Sequence, residues 1–194
     1  NGYFGVKSHL DQFVRYFKYI PTDCKYINIY RENILQQTVS MFKSLQNGKW
    51  TFADKQAMTL TEADYNTDTI LQTLDYLISM NNQWEIFFNN NKDTISRIKI
   101  SYESITKDRI NVLHQIEEYL HIDLQCVYST EPYLKLQRDD LSSYYLDRLK
   151  QDLRERNEMV VYDSNTLRFI RKEIDSSNNS ITLSGVQYVS FLCL

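Results

Sequence analysis

The run Lys25-Tyr26-Ile27-Asn28-Ile29-Tyr30-Arg31-Glu32-Asn33-Ile34-Leu35-Gln36-Gln37-Thr38-Val39-Ser40 changes its periodicity partway through. Lys25 to Tyr30 is rich in Tyr and Ile and predicts a buried or half-buried strand. After Arg31-Glu32-Asn33, a helix is expected from about Ile34 to Gln46, with Leu35, Val39, Phe42 and Leu45 near one face. Asn47-Gly48 ends it, because Gly readily takes the left-handed conformation that follows a helix. A strand that turns through a short corner into a helix is where open α/β sheets hold ligands, beyond the carboxyl ends of their strands.

Outward from this corner the pattern repeats. Upstream, Tyr3 to Lys7 is aromatic and β-prone and is expected to enter a strand, and Asp11 to Tyr19 carries Phe13, Val14 and Phe17 on a helix face. Downstream, Thr51 to Asp68 is polar and predicts an excursion loop. A long helix from about Asp68 to Phe88 follows, stopped by Asn89-Asn90-Asn91. Its stripe of Trp84, Phe87 and Phe88 reads as core. Ile95 to Ser101 alternates as a strand. Lys107 to Leu120 predicts a helix with Ile110, Leu113, Ile116, Glu117 and Leu120 on recurring turns. Leu141 to Asn157 predicts a charged helix, with Arg148 to Arg156 as a solvated face. Met159 to Tyr162 is β-prone, Asn165 to Ile174 is expected to be helical, Ser176 to Ser180 reads as a linker, and Ile181 to Leu194 is an apolar tail. Strands alternating with long helices imply an α/β fold, a parallel sheet covered on both faces.

Composition narrows the function classes. The chain has 194 residues, 42% hydrophobic and 24% charged, which suits a globular protein with a core of its own. The formal charge of −3 provides no general field for nucleic acid, so an anion must be caught by a local cluster. Cys24, Cys126 and Cys193 form no CxxC pair, which fits reduced thiols and a cytoplasmic location. No apolar run is long enough to span a bilayer. The chain opens at Asn1 without Met and in the approach to a strand, so an upstream portion is expected to be missing.

Two clusters could carry chemistry. Arg31 offers a planar fork for phosphate, Ser40 a hydroxyl on the following helix, and the helix start adds free N–H groups. Lys7-Ser8-His9 stands where an earlier strand should end, so its imidazole would face the same crevice; His suits proton transfer near neutral pH and Lys suits a departing phosphate. Gly2-x-x-Gly5-x-Lys7-Ser8 lacks the spacing of a Walker A loop. His114, on a helix with Gln115 and Glu118, and His121, near that helix's end, show no metal-ligand spacing, so no metal is expected.

The same residues resemble the Stf0-type, trehalose 2-sulfotransferase-like bacterial sulfotransferases. Tyr26 to Ser40, continuing to Gln46-Asn47-Gly48-Lys49-Trp50, is similar to that family's strand, Arg, Gln-x-Val-Ser run and later Trp. Gly5-Val6-Lys7, Gln83-Trp84-Glu85-Ile86-Phe87-Phe88, Ile98-Lys99-Ile100-Ser101-Tyr102-Glu103 and Glu131 to Arg138 resemble further family segments in order. The resemblance covers residues 1 to 153 and leaves 154 to 194 as an extension without an assigned role. It implies a P-loop-like three-layer parallel sheet, incomplete at the N-terminus, and the co-substrate 3′-phosphoadenosine 5′-phosphosulfate. Arg31 and Ser40 would carry the 3′-phosphate and Tyr102 would approach the adenine. Lys7-Ser8-His9 resembles the Lys-Thr-His motif of cytosolic sulfotransferases, with His9 as general base, whereas Stf0-type members usually take the base from an upstream carboxylate. No segment corresponds to the loop that holds the 5′-phosphosulfate, so this chain alone is expected to be inactive and the parent protein to be the enzyme.

The expected reaction is sulfuryl transfer to a hydroxyl, with a carbohydrate as the acceptor. Partners are then a small molecule or carbohydrate, no nucleic acid, and a second copy if an exposed aromatic surface supports a homodimer. Two other classes fit parts of the pattern. Another P-loop phosphotransferase would show magnesium dependence, and a non-catalytic interaction module would bind no adenine nucleotide.

Overall fold

The computed structural model describes residues 6–21, 23–50, 58–124, 128, 139–163 and 168–173. They divide into two compact units. The first holds the described residues from 6 to 32 and from 80 to 128, and the second those from 33 to 79 and from 139 to 173.

In the first unit, strands β1 (Lys25–Tyr30) and β2 (Ser96–Ser101) pair in parallel, from Lys25 opposite Ser96 to Tyr30 opposite Ser101. Paired residues share a face of the sheet. On one face Ile27 and Ile100 are buried with Val112 and Leu120 of α5 (Arg109–Leu120), while Ile29, Ile98 and Ile116 pack around them. On the other, Tyr26 packs with Leu10 and Phe13 of α1 (Leu10–Tyr16) and with Trp84 and Phe88 from α3 (Thr67–Asn90). A parallel strand pair with helices on both faces is therefore present here, two strands among the described residues, which is compatible with the expected α/β class. Phe13 is the hub of the aromatic layer, with ring centroids 5.2 Å from Trp84 and 5.1 Å from Phe87. Cys24 is a buried free thiol in the same layer.

Tyr119 fixes the amino ends of the strands. Its hydroxyl donates to the Ser96 carbonyl at 2.6 Å and accepts the Tyr26 N–H at 3.1 Å, and its own carbonyl accepts from Lys25 Nζ at 2.6 Å. The aromatic face also holds charge. Glu85 of α3 is 0% exposed, 3.1 Å from Arg97 Nη2 and 3.3 Å from Lys99 Nζ. The Lys99 contact is an ion pair without hydrogen-bond geometry, since Glu85 Oε1 accepts no bond among the described residues. Burial lowers the Lys99 pKa and Glu85 partly restores it.

The second unit contains α2 (Ile34–Asn47), the first half of α3, α6 (Asp140–Glu155) and an antiparallel hairpin of β3 (Glu158–Asp163) and β4 (Arg168–Glu173). Asn33 caps α2 by accepting the Gln36 N–H at 3.0 Å, and Gly48 closes it with φ 71°. Phe42 of α2 packs on Tyr145 of α6, with Tyr65 completing the aromatic triad. Tyr65 donates at 2.6 Å to Asp152, a buried carboxylate on α6. Arg171 ties β4 to Glu158 of β3 and to Asp75 of α3.

Several expectations need correction. Asn165 to Ile174 was expected to be helical, but Arg168–Glu173 is a strand, because pairing with β3 buries Phe169 and brings Arg171 to Glu158. This hairpin is antiparallel and lies in the extension beyond residue 153, outside the segment for which a parallel sheet is expected. The helix expected over Lys107 to Leu120 is present as α5 and starts two residues later, at Arg109. Asp108 caps α5 by accepting the Asn111 N–H, and Lys107 belongs to a separate α4 (Tyr102–Lys107). On α5 the buried residues are Val112 and Leu120, while Ile110 is exposed. Leu45 lies 51% exposed near the end of α2, away from the Leu35, Val39 and Phe42 face. Residues 1–5, 51–57, the Glu131 to Arg138 segment and the tail from 174 fall outside the described residues, as do Cys126 and Cys193.

Two predictions follow from this packing. Glu85→Ala leaves two half-buried cations without their counter-charge and should cost about 3–5 kcal/mol in urea unfolding, whereas an effect under about 0.5 kcal/mol, typical of surface sites, would show the pairs to be idle. Asp139, the cap of α6, is pushed up by burial. Its bonds from Lys43 and from the Ser142 hydroxyl and N–H outweigh that and hold its pKa at about 2, below the ordinary 3.8. A lowered carboxylate adds stability above its unfolded pKa and loses it on acidification. The acid loss between pH 3.8 and about 2 should therefore flatten in Asp139→Asn, measured by denaturant titration across that range.

Candidate functional site at the carboxyl edge of the strand pair

The two strands of the first unit end at one rim. Because Tyr30 pairs with Ser101, the next residues, Arg31 and Tyr102, fall side by side past the last rung. The Arg31 guanidinium carbon stands 3.7 Å from the Tyr102 ring centroid, a cation–π stack. No ion pair or hydrogen bond engages that guanidinium among the described residues, so its fork of N–H donors is open to an anion. Lys99 lies lower on β2, with its ammonium against Glu85 and 5.0 Å from the Tyr30 ring, so its charge is committed to the interior.

Local sequence shapes this rim. Ser101 caps α4 by accepting the Ser104 N–H at 2.9 Å, and the Ser104 hydroxyl donates to the Ser101 carbonyl at 2.7 Å. The strand therefore stops at Ser101 and presents Tyr102-Glu103 in the first turn of α4. Glu103 Oε2 accepts the Glu32 N–H at 2.8 Å. The sequence offers Glu103 only as the second half of a Tyr-Glu strand ending, and nothing local marks that it reaches a residue 71 positions away.

The other residues singled out from the sequence lie on other segments. Ser40 is exposed on the second turn of α2, within the second unit. Lys7 and His9 are exposed. Val6 to His9 lies outside any strand, and the rest of the segment expected to enter a strand, Tyr3 to Gly5, falls outside the described residues. His9 instead occupies the cap position of α1, where its carbonyl accepts the Phe13 N–H at 2.8 Å while its imidazole makes no capping bond.

The remaining histidines have local roles. His114 meets Glu117 at 3.3 Å and the Tyr128 hydroxyl at 2.9 Å. The Tyr128 hydroxyl donates to Glu117, and partial burial together with that carboxylate pushes the phenol up to about 12. Tyr128 and the Leu124 N–H in turn hold the Glu117 pKa below its usual value. His121 is the left-handed residue, φ 59°, that closes α5.

No helix among the described residues is long and apolar enough to cross a membrane. No curated protein and no solved structure matches the chain. A family model described as Stf0 sulphotransferase matches residues 11–152, which include both strands and the Arg31–Tyr102 rim. With a match over most of its length, the chain belongs to the Stf0 sulphotransferase family.

Proposed function

We propose that this chain serves sulfuryl transfer from 3′-phosphoadenosine 5′-phosphosulfate to a hydroxyl group, with a carbohydrate as the acceptor class. The observation that carries the reading is the uncommitted Arg31 guanidinium stacked on Tyr102 at the strand rim. A stacked guanidinium is oriented before a ligand arrives, and a phosphate monoester matches its fork geometry. In this reading Arg31 takes the 3′-phosphate and Tyr102 lies toward the adenine. Ser40 enters as a second phosphate donor, and Lys7 and His9 enter as charge stabiliser and base, on the family pattern alone.

The donor supplies an activated sulfuryl group. The base removes the acceptor hydroxyl proton as that oxygen bonds to sulfur. The bond from sulfur to the bridging phosphate oxygen breaks, and adenosine 3′,5′-bisphosphate leaves. Negative charge grows on the bridging oxygen, where a Lys7 ammonium would be worth most. Arg31 acts at a distance from this centre by fixing where the nucleotide lies.

Two measurements test the reading. Arg31→Ala should weaken adenosine 3′,5′-bisphosphate binding by about 1.5–3 kcal/mol, the worth of a charge-assisted bond, in calorimetric titration of the folded variant. Unchanged affinity would count against the site. His9→Ala should lower sulfuryl transfer by about 10²-fold or more with nucleotide affinity unaltered, and a variant with normal turnover would remove His9 from the chemistry.

A further inference from the structure

We propose that Glu103 is a positioning residue for Arg31, and through it a determinant of the preference for a 3′-phosphorylated nucleotide. The inference rests on the reading of Arg31 given above.

The two strands stop pairing at Tyr30 and Ser101. Beyond that rung the backbone of β1 has no strand partner among the described residues, and the Glu32 N–H is taken up by Glu103 Oε2, which accepts it at 2.8 Å. That N–H belongs to the peptide plane joining Arg31 to Glu32. Holding the plane fixes the ψ angle of Arg31 and hence the direction in which its side chain leaves the corner. The guanidinium at the far end rests on the ring of Tyr102, the residue next to Glu103. One dipeptide, Tyr102-Glu103, therefore grips Arg31 at both root and tip.

The dipeptide is itself secured. It sits in the first turn of α4, where the Ser101 and Ser104 bonds lock the backbone. Glu103 uses only one oxygen for the grip. Its Oε1 is buried and accepts no hydrogen bond among the described residues. The task therefore asks for an acceptor atom at that place, not for a full negative charge, and an amide oxygen would serve. A carboxylate beside an anion site is even a mild electrostatic burden. Pre-orientation matters because Arg has many rotamers to lose on binding, and a pinned side chain loses fewer.

The test compares adenosine 3′,5′-bisphosphate with adenosine 5′-phosphate, which lacks the 3′-phosphate, as ligands of the same folded protein. The ratio of the two affinities within each variant cancels any general loss of folded protein. Glu103→Ala should weaken the bisphosphate by about 3- to 10-fold, the worth of one hydrogen bond, and leave adenosine 5′-phosphate unchanged. Glu103→Gln should restore wild-type preference. In an Arg31→Ala background, Glu103→Ala should cost nothing further, as expected for residues acting through one another. Equal weakening of both ligands by Glu103→Ala, failure of Gln to rescue, or additive losses in the double variant would each overturn the proposal. If Arg31→Ala abolishes the preference while Glu103→Ala keeps it, only the role of Glu103 falls. If Arg31→Ala keeps the preference, the nucleotide reading falls, and this proposal with it.

Discussion

The register of one parallel strand pair governs what this protein can do at its rim. Tyr30 opposite Ser101 brings Arg31 to Tyr102 and Glu32 to Glu103 although the residues lie about seventy positions apart in sequence. A slip by one residue would send every side chain of a strand to the opposite face. Here Ile27 and Ile100 would then leave the α5 side and Tyr26 would leave the aromatic layer. The apolar pattern thus enforces the register, and the register places the cation. Core and site are consequences of one alignment.

Much of this was legible in sequence where the signal is local. The Lys25–Tyr30 strand, the α2 helix and its Gly48 stop, and the Trp84–Phe88 stripe all follow from periodicity and turn chemistry. The corner residue Arg31 is marked by its place after a strand, and the Tyr-Glu pair by its place after another. What periodicity cannot supply is the partner. Residues 168–173 carry mixed charge and few apolar side chains, and only pairing with β3 makes them a strand. The break at Asp108 is a capping event, in which a short carboxylate satisfies a backbone N–H and ends one helix to begin another.

Buried polar groups were the least legible. Asp152 lies in a helix whose charge run suggests a solvated face, yet it is buried against the Tyr65 hydroxyl. Glu85 is similar. It sits amid aromatic residues and looks like a helix-surface carboxylate until β2 supplies Arg97 and Lys99. In both cases the residue type says outside, and a partner distant in sequence makes the interior acceptable.

Tyr119 ties the two strands together at their amino ends. Its bridging hydroxyl rivets the entry end of the pair, and at the exit end, just past Tyr30 and Ser101, the ties include the Glu103–Glu32 bond and the Arg31–Tyr102 stack. A ligand anchored at the rim would act as a clasp, a further link between the two strands at the end opposite Tyr119.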